Sequence, residues 1–151
     1  MRSFASVAEL DSAVGVELGV SDWVVLDQPT IDAFADVTGD RQWIHVDAGR
    51  SANGPFGATI AHGYLTLALL PRFRADIFDI VTPRMSLNYG LNKVRFPAVV
   101  PSGSRVRGRA RLLAVEHRGP DAVDVVVEYH VEIDGSPKPA CVAESVVRVL
   151  F

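Results

Sequence analysis

Two side chains able to move protons, Asp40 and His45, stand five residues apart in the run Thr38-Gly39-Asp40-Arg41-Gln42-Trp43-Ile44-His45-Val46-Asp47. A carboxylate can take a proton from water while an imidazole holds and polarises the same water, so the pair suits general acid–base chemistry. On a regular helix five residues turn through about 500°, which leaves the two side chains roughly 140° apart. They converge only if the backbone after Gly39 is irregular, and a helix-stop glycine supplies that break. Spacing alone also fits a plainer role, with Asp40 capping the chain after Gly39 and His45 buried and hydrogen-bonded. Asp40, His45 and Asp47 could be read as metal ligands, but no dense His/Cys cluster or recognised metal spacing accompanies them, so no metal is expected.

The elements that must position this pair follow from the apolar pattern. Upstream, Thr30 can cap a short helix, Asp32 suits its positive first turn, and Ile31, Phe34 and Val37 recur at three-residue spacing. Downstream, Gly63 to Phe78 reads as a second helix, apolar almost all round over its first two turns and therefore buried on most sides, with Tyr64 to Leu70 as its core portion. Pro71 should bend or loosen it. Between them, Gly54-Pro55-Phe56-Gly57 suggests a turn or gate. After Pro83 the period falls to two. Met85 to Phe96 reads as a strand with a possible bulge at Gly90, and Arg105, Arg107, Arg109 and Arg111 alternate with small apolar residues as on a half-wet strand. Val123 to Ile133 alternates likewise, Asp134-Gly135-Ser136-Pro137 supplies a turn, and Ala140 to Phe151 forms a last strand, whose long apolar run Val142 to Phe151 is expected at a sheet edge that needs covering or pairing. With a short strand near Trp23 to Leu26, this order of helices followed by strands means α+β, one sheet packed on one apolar helix.

Composition narrows the partners. The chain has 151 residues, 48% of them hydrophobic, enough for one cored domain, 1–151, with no linker dividing it. A net charge of −3 and the lack of a basic, aromatic-interleaved stripe argue against nucleic acid and favour a small-molecule ligand. The N-terminal 19 residues mix charges among small apolar residues, so neither a signal peptide nor a membrane span is expected, and a cytoplasmic setting is the default. Cys141, the one cysteine, sits among Ala140, Val142 and Ala143 as a buried small hydrophobe would. His117 and His130 read as surface histidines.

Three blocks together carry a family resemblance: Phe34 to Asp47, then Ile60-Ala61-His62-Gly63-Tyr64-Leu65, then Asn88-Tyr89-Gly90-Leu91-Asn92-Lys93-Val94-Arg95-Phe96-Pro97. They resemble the MaoC-like dehydratases, the (R)-specific enoyl-CoA hydratases of the hot-dog fold, and the form Gly-Asp-Arg-Gln-Trp-Ile-His-Val-Asp resembles the NodN-like branch. The family signature runs Gly-Asp, any residue, Asn-Pro, an aliphatic, then His. Gly39, Asp40, Ile44 and His45 match it, while Gln42 and Trp43 stand where Asn and Pro are usual. The resemblance implies a curved antiparallel sheet around the central helix, a homodimer, and reversible addition of water to trans-2-enoyl-CoA with no cofactor beyond the acyl-CoA or carrier-protein thioester itself. In that chemistry Asp40 is the base, His45 holds the water, and the Gly63 N–H, opening a helix, stabilises the thioester oxygen. A thioesterase or a non-catalytic acyl-thioester binding module would use the same cleft. Gln42 could hold the loop or orient water, and His62 is a loop residue or pocket liner. Ile60, Ala61, Asn88, Tyr89 and Phe96 are candidate substrate contacts.

Overall fold

Helices and strands fall largely where the two periodicities put them, in a computed structural model that describes every residue except Thr82. In chain order the elements are β1 (Arg2–Phe4), α1 (Val7–Ser12), β2 (Glu17–Val20), β3 (Val24–Leu26), α2 (Gln28–Thr38), α3 (Trp43–Val46), α4 (Ala48–Ala52), α5 (Gly63–Ala68), α6 (Leu70–Ile77), β4 (Phe78–Ile80), β5 (Met85–Arg95), β6 (Ser104–His117), β7 (Ala122–Ile133) and β8 (Cys141–Leu150). The main sheet runs β2-β6-β7-β8-β5, antiparallel throughout, and β3 also pairs with β6. Its inner face, from Val106, Ala110, Leu112, Val127, Val131 and Ala143, packs with Leu65, Leu70, Phe73 and Ile77 of α5 and α6 into one core. Each of the larger of these side chains, Val, Leu, Ile and Phe, contributes roughly 1.5–3 kcal/mol by leaving water. Gly108 is required by that packing: a Cβ there would stand 2.7 Å from the Cβ of the fully buried Phe73.

Several expectations are corrected. The long helix is two: Leu69 interrupts it, and Pro71 falls in the first turn of α6, where a missing N–H costs no intrahelical bond. Nor is its first part engulfed, since Tyr64 is 69% exposed. α2 begins two residues before Thr30 and is capped by Asp27, whose carboxylate accepts from the Thr30 N–H and hydroxyl. Asp32, no longer in the first turn, accepts from the Gln28 amide. The N-terminus, left without elements by the pattern, forms β1, paired in parallel with β4, and α1, capped by Ser6. β8 is an interior strand between β7 and β5, so the edge at this end of the sheet belongs to β5, where Met85, Leu87, Tyr89 and Leu91 are exposed.

Three of the four arginines along β6 are paired with carboxylates within the chain, and Arg111 donates to Gly15 O. Arg107 and Arg109 share Glu132 at 2.7 and 2.8 Å, Arg109 also meets Glu17, Arg105 meets Asp134, and Arg105 and Arg107 lie over the Trp23 ring. A second cluster has no counterpart in the sequence reading: Asp124, buried on β7, is held by Arg148 and Arg118. Those hydrogen bonds, Arg148 first, bring its carboxyl down to about 2 from 3.8. Cys141 is buried, and burial pushes its thiol up to about 11.

Candidate active site

Gly39 ends α2 in the left-handed conformation, φ 76°, and its N–H closes on Ala35 O at 2.8 Å. The chain then runs without helical bonds through Asp40 to Gln42 and re-enters a helix at Trp43. The expected break is there. It brings one carboxylate oxygen of Asp40 and one ring nitrogen each of His45 and His62 within 4.8 Å of one another. Asp40 is exposed, while His45 and His62 are 7% and 2% exposed.

Each imidazole is oriented by a backbone carbonyl. His45 Nδ1 is 2.7 Å from Ile60 O, and a carbonyl only accepts, so Nδ1 carries the proton and Nε2 offers a lone pair. The Ile60 N–H returns to Ile44 O at 2.9 Å, locking α3 to the chain before α5. His62 Nε2 donates to Asp40 O at 2.9 Å, and its ring stacks on His45 with centroids 3.7 Å apart and planes at 22°. Its Nδ1 is buried without a hydrogen-bond partner among the described residues, a desolvation cost of about 1–3 kcal/mol that the site carries. His62 is thus more than a loop residue or pocket liner: it holds the backbone of one candidate group and supports the ring of the other.

The carbonyl partners resemble those that orient metal-binding histidines. The stacking argues the other way. Nearly parallel rings send their in-plane lone pairs along separate planes, whereas a zinc ion needs each nitrogen aimed at one centre about 2 Å away. The trio is better suited to holding protons and water.

Among the flanking candidates, Gln42 is an exposed N-cap that makes no side-chain capping bond, so it does not hold the loop. That task falls to Gln28, which the sequence reading missed. Its Nε2 donates to His45 O at 2.7 Å and its Oε1 accepts from the Thr59 hydroxyl, tying α2 to both sides of the His45 contact. The signal was Asp27-Gln28-Pro29-Thr30, an N-cap acid followed by a first-turn proline, which sets the helix start earlier. Trp43 compensates for the absent proline by packing: the Arg50 guanidinium lies 4.2 Å over its ring, and Gly54 of the following turn fits against it only because a Cβ would approach the ring to 3.2 Å.

Gly63 opens α5, and its N–H has no hydrogen-bond partner among the described residues, as the first donors of a helix lack one. Its missing side chain makes room for Phe96 rather than for a ligand, since a Cβ would meet that ring at 3.0 Å. Ile60 and Ala61 act through their backbones, Ala61 N–H bonding Val100 O at 2.8 Å. One helical turn beyond Gly63 a cleft of about 650 Å³ opens between α5–α6 and the sheet. Leu67, Leu70, Leu91 and Val147 line it, and so does Asn88. Tyr89 does not; it is exposed with the Arg148 guanidinium 3.7 Å over its ring.

The family described as MaoC like domain matches residues 9–133. The chain is 56% identical over 148 residues to 3-hydroxyacyl-thioester dehydratase Z of Mycobacterium tuberculosis, covering 98% of each chain. To nodulation protein N of Rhizobium leguminosarum it is 45% identical, covering 97% of this chain and 92% of that one. In three dimensions it superposes on the (R)-hydratase from A. caviae with a TM-score of 0.70 at 20% identity, over 87% of this chain and 96% of the other, which fixes the hot-dog architecture. With the sheet wrapped on α5 and α6 and a match spanning most of its length, the chain belongs to the MaoC-like family, in the branch that includes nodulation protein N.

Proposed function

We propose that this chain is an (R)-specific hydro-lyase of fatty-acid metabolism, adding water reversibly to trans-2-enoyl thioesters to give (R)-3-hydroxyacyl thioesters. The observation that carries the reading is the approach of Asp40 to His45 beside the free Gly63 N–H. Water sits between the two side chains, one hydrogen directed to the Asp40 carboxylate and the other to the His45 Nε2 lone pair, so its oxygen is free to attack C3. As the O–C3 bond forms, Asp40 takes the proton. The π electrons move toward C2 and the thioester oxygen, where the Gly63 N–H meets the developing charge. Asp40 then returns a proton to C2 on the same face, completing a syn addition. Such an N–H is worth on the order of 3 kcal/mol, and the acid–base pair about 10² to 10⁴ in rate.

No metal or redox cofactor enters this scheme; a coenzyme A or carrier-protein thioester is the substrate, with its acyl chain in the cleft beyond Gly63. Among the described residues no helix is long and apolar enough to cross a membrane. The proposal includes a cytoplasmic setting, which fractionation of the host tests. It also includes a homodimer, supported by the unpaired β5 edge with its exposed Met85, Leu87, Tyr89 and Leu91. A strictly monomeric species by light scattering at micromolar concentrations would remove that part.

The experiment is loss of enoyl absorbance with a short trans-2-enoyl-CoA, with and without a chelator. Chelator-insensitive hydration to the (R)-product is expected. Free thiol released from a saturated acyl-CoA would instead identify a thioesterase, and binding without either change would identify a carrier module.

A further inference from the structure

The cleft beyond Gly63 is mainly apolar, with Ser86, Asn88 and Ser145 among its lining on the sheet side; among the described residues Arg74 of α6 supplies its one charged group and Tyr129 of β7 a phenol. Arg74 lies on α6, eleven residues past Gly63 and beyond the break at Leu69, with Leu67 and Leu70 between. Its side chain is 26% exposed, and its nearest carboxylate oxygen, on Asp79, is 4.0 Å away, outside hydrogen-bond reach. The guanidinium rests 5.2 Å over the Phe78 ring and makes no hydrogen bond among the described residues. By contrast, Arg105, Arg107, Arg109, Arg118 and Arg148 are each bonded to a carboxylate, and Arg111 and Arg95 each donate to a backbone carbonyl. Tyr129 is buried, its hydroxyl likewise lacks a partner among the described residues, and burial raises its pKa, so it stays a neutral O–H donor. A fork of unused N–H groups beside a phenol, at the end of an apolar passage, is complementary to a carboxylate.

We propose that the cleft selects acyl chains ending in a carboxylate, bound by Arg74 with Tyr129 as second donor, so that the substrate class is the ω-carboxy-2-enoyl thioester. This rests on the hydro-lyase reading and adds the acyl specificity to it. The phosphates of coenzyme A are also anions, but they leave the thioester on the side away from the acyl chain. The passage formed by Leu67, Leu70 and Leu91 suits methylenes rather than a nucleotide.

The test compares kcat/KM for plain and ω-carboxy trans-2-enoyl-CoA series of equal chain length, using the full chain and its Arg74→Met and Tyr129→Phe variants. At one chain length the unaltered protein should favour the carboxy member by at least about tenfold, the discrimination that one charge-assisted pair supplies. Arg74→Met should erase most of that ratio, and Tyr129→Phe a smaller part. With no substitution at all, saturated ω-carboxyacyl-CoA should inhibit hydration better than the plain acyl-CoA of that length, which keeps the test open if a variant fails to fold. A preference for plain chains at every length overturns the inference. So does an equal rise of KM for both series in Arg74→Met, which would mark a coenzyme A contact. Hydration of the plain series without discrimination defeats only this inference, whereas no hydration of either series defeats the hydro-lyase reading with it.

Discussion

Asp40 and His45 share a site but not a structural burden, and substituting each separates catalysis from stability. Asp40 is exposed, so Asp40→Asn keeps the shape, removes the base and should leave folding intact. His45→Gln loses more: the 2.7 Å bond from Nδ1 to Ile60 O, about 1 kcal/mol, and the ring stacked on His62, about 1 kcal/mol again. Together these amount to about 2 kcal/mol, or a melting point lower by about 4–8 °C in a chain of this size. Both variants should lose at least about 10² in kcat/KM on a short enoyl-CoA, equivalent to about 2.7 kcal/mol. If the two groups act on one water as a unit, the double variant should be little slower than the worse single one; independent roles would multiply the losses. The assay is steady-state hydration of the four proteins, with circular dichroism melts alongside. Near-normal turnover by Asp40→Asn would refute the mechanism whatever the melts show.

Two further expectations concern the scaffold. Because Arg148 and then Arg118 hold the 1%-exposed Asp124 carboxyl at about 2, its contribution is complete above about pH 4 and is lost as pH falls through 2. Urea titrations between pH 6 and 2 should show the unaltered protein losing about 2 kcal/mol more on this acid limb than Asp124→Asn does; parallel limbs would contradict the cluster. Gly108→Ala should lower the melting point by roughly 6–12 °C, an overpacking cost of about 3 kcal/mol, because the buried Phe73 cannot yield. Gly63→Ala should cost less than about 1 kcal/mol, since the half-exposed Phe96 can swing away. Equal losses in the two glycine variants would show that local packing does not decide them.

The strands were legible because their period of two is written in single residues: Arg105 to Leu112 and Val123 to Ile133 alternate almost without fault. Asp40 and His45 were legible because a helix-stop glycine precedes them and the family signature supplies the rest. What escaped depends on contacts distant in sequence. Gln28 looks like any polar residue until its amide is seen to meet His45 and Thr59, 17 and 31 positions away. The burial of Asp124 requires Arg148 from another strand, and nothing in an alternating Val-Asp-Val run shows which polar residue will be covered. The end of the chain misled because a long apolar strand looks alike at an edge and in the interior, and only pairing on both sides distinguishes them. His62 was undervalued because neither its stacking on His45 nor its bond to Asp40 O leaves a trace in spacing.

Apart from the packing of Ile31, Phe34 and Ala61 in the core, the chain from Asp27 to His62 is held to the segment that leads into β6 by a short seam: Ala61 N–H to Val100 O, Ser102 N–H to Thr59 O, and the bridge of Ile60 with Pro101. What brings Asp40 to His45 therefore rests on a few hydrogen bonds and a few core side chains, while the long pairings of β6, β7 and β8 run elsewhere. Amide protons of α2 and α3 should accordingly exchange through openings far smaller than global unfolding, as contiguous units of low local stability do. The working part of the molecule can come loose and re-form while the β framework stays folded.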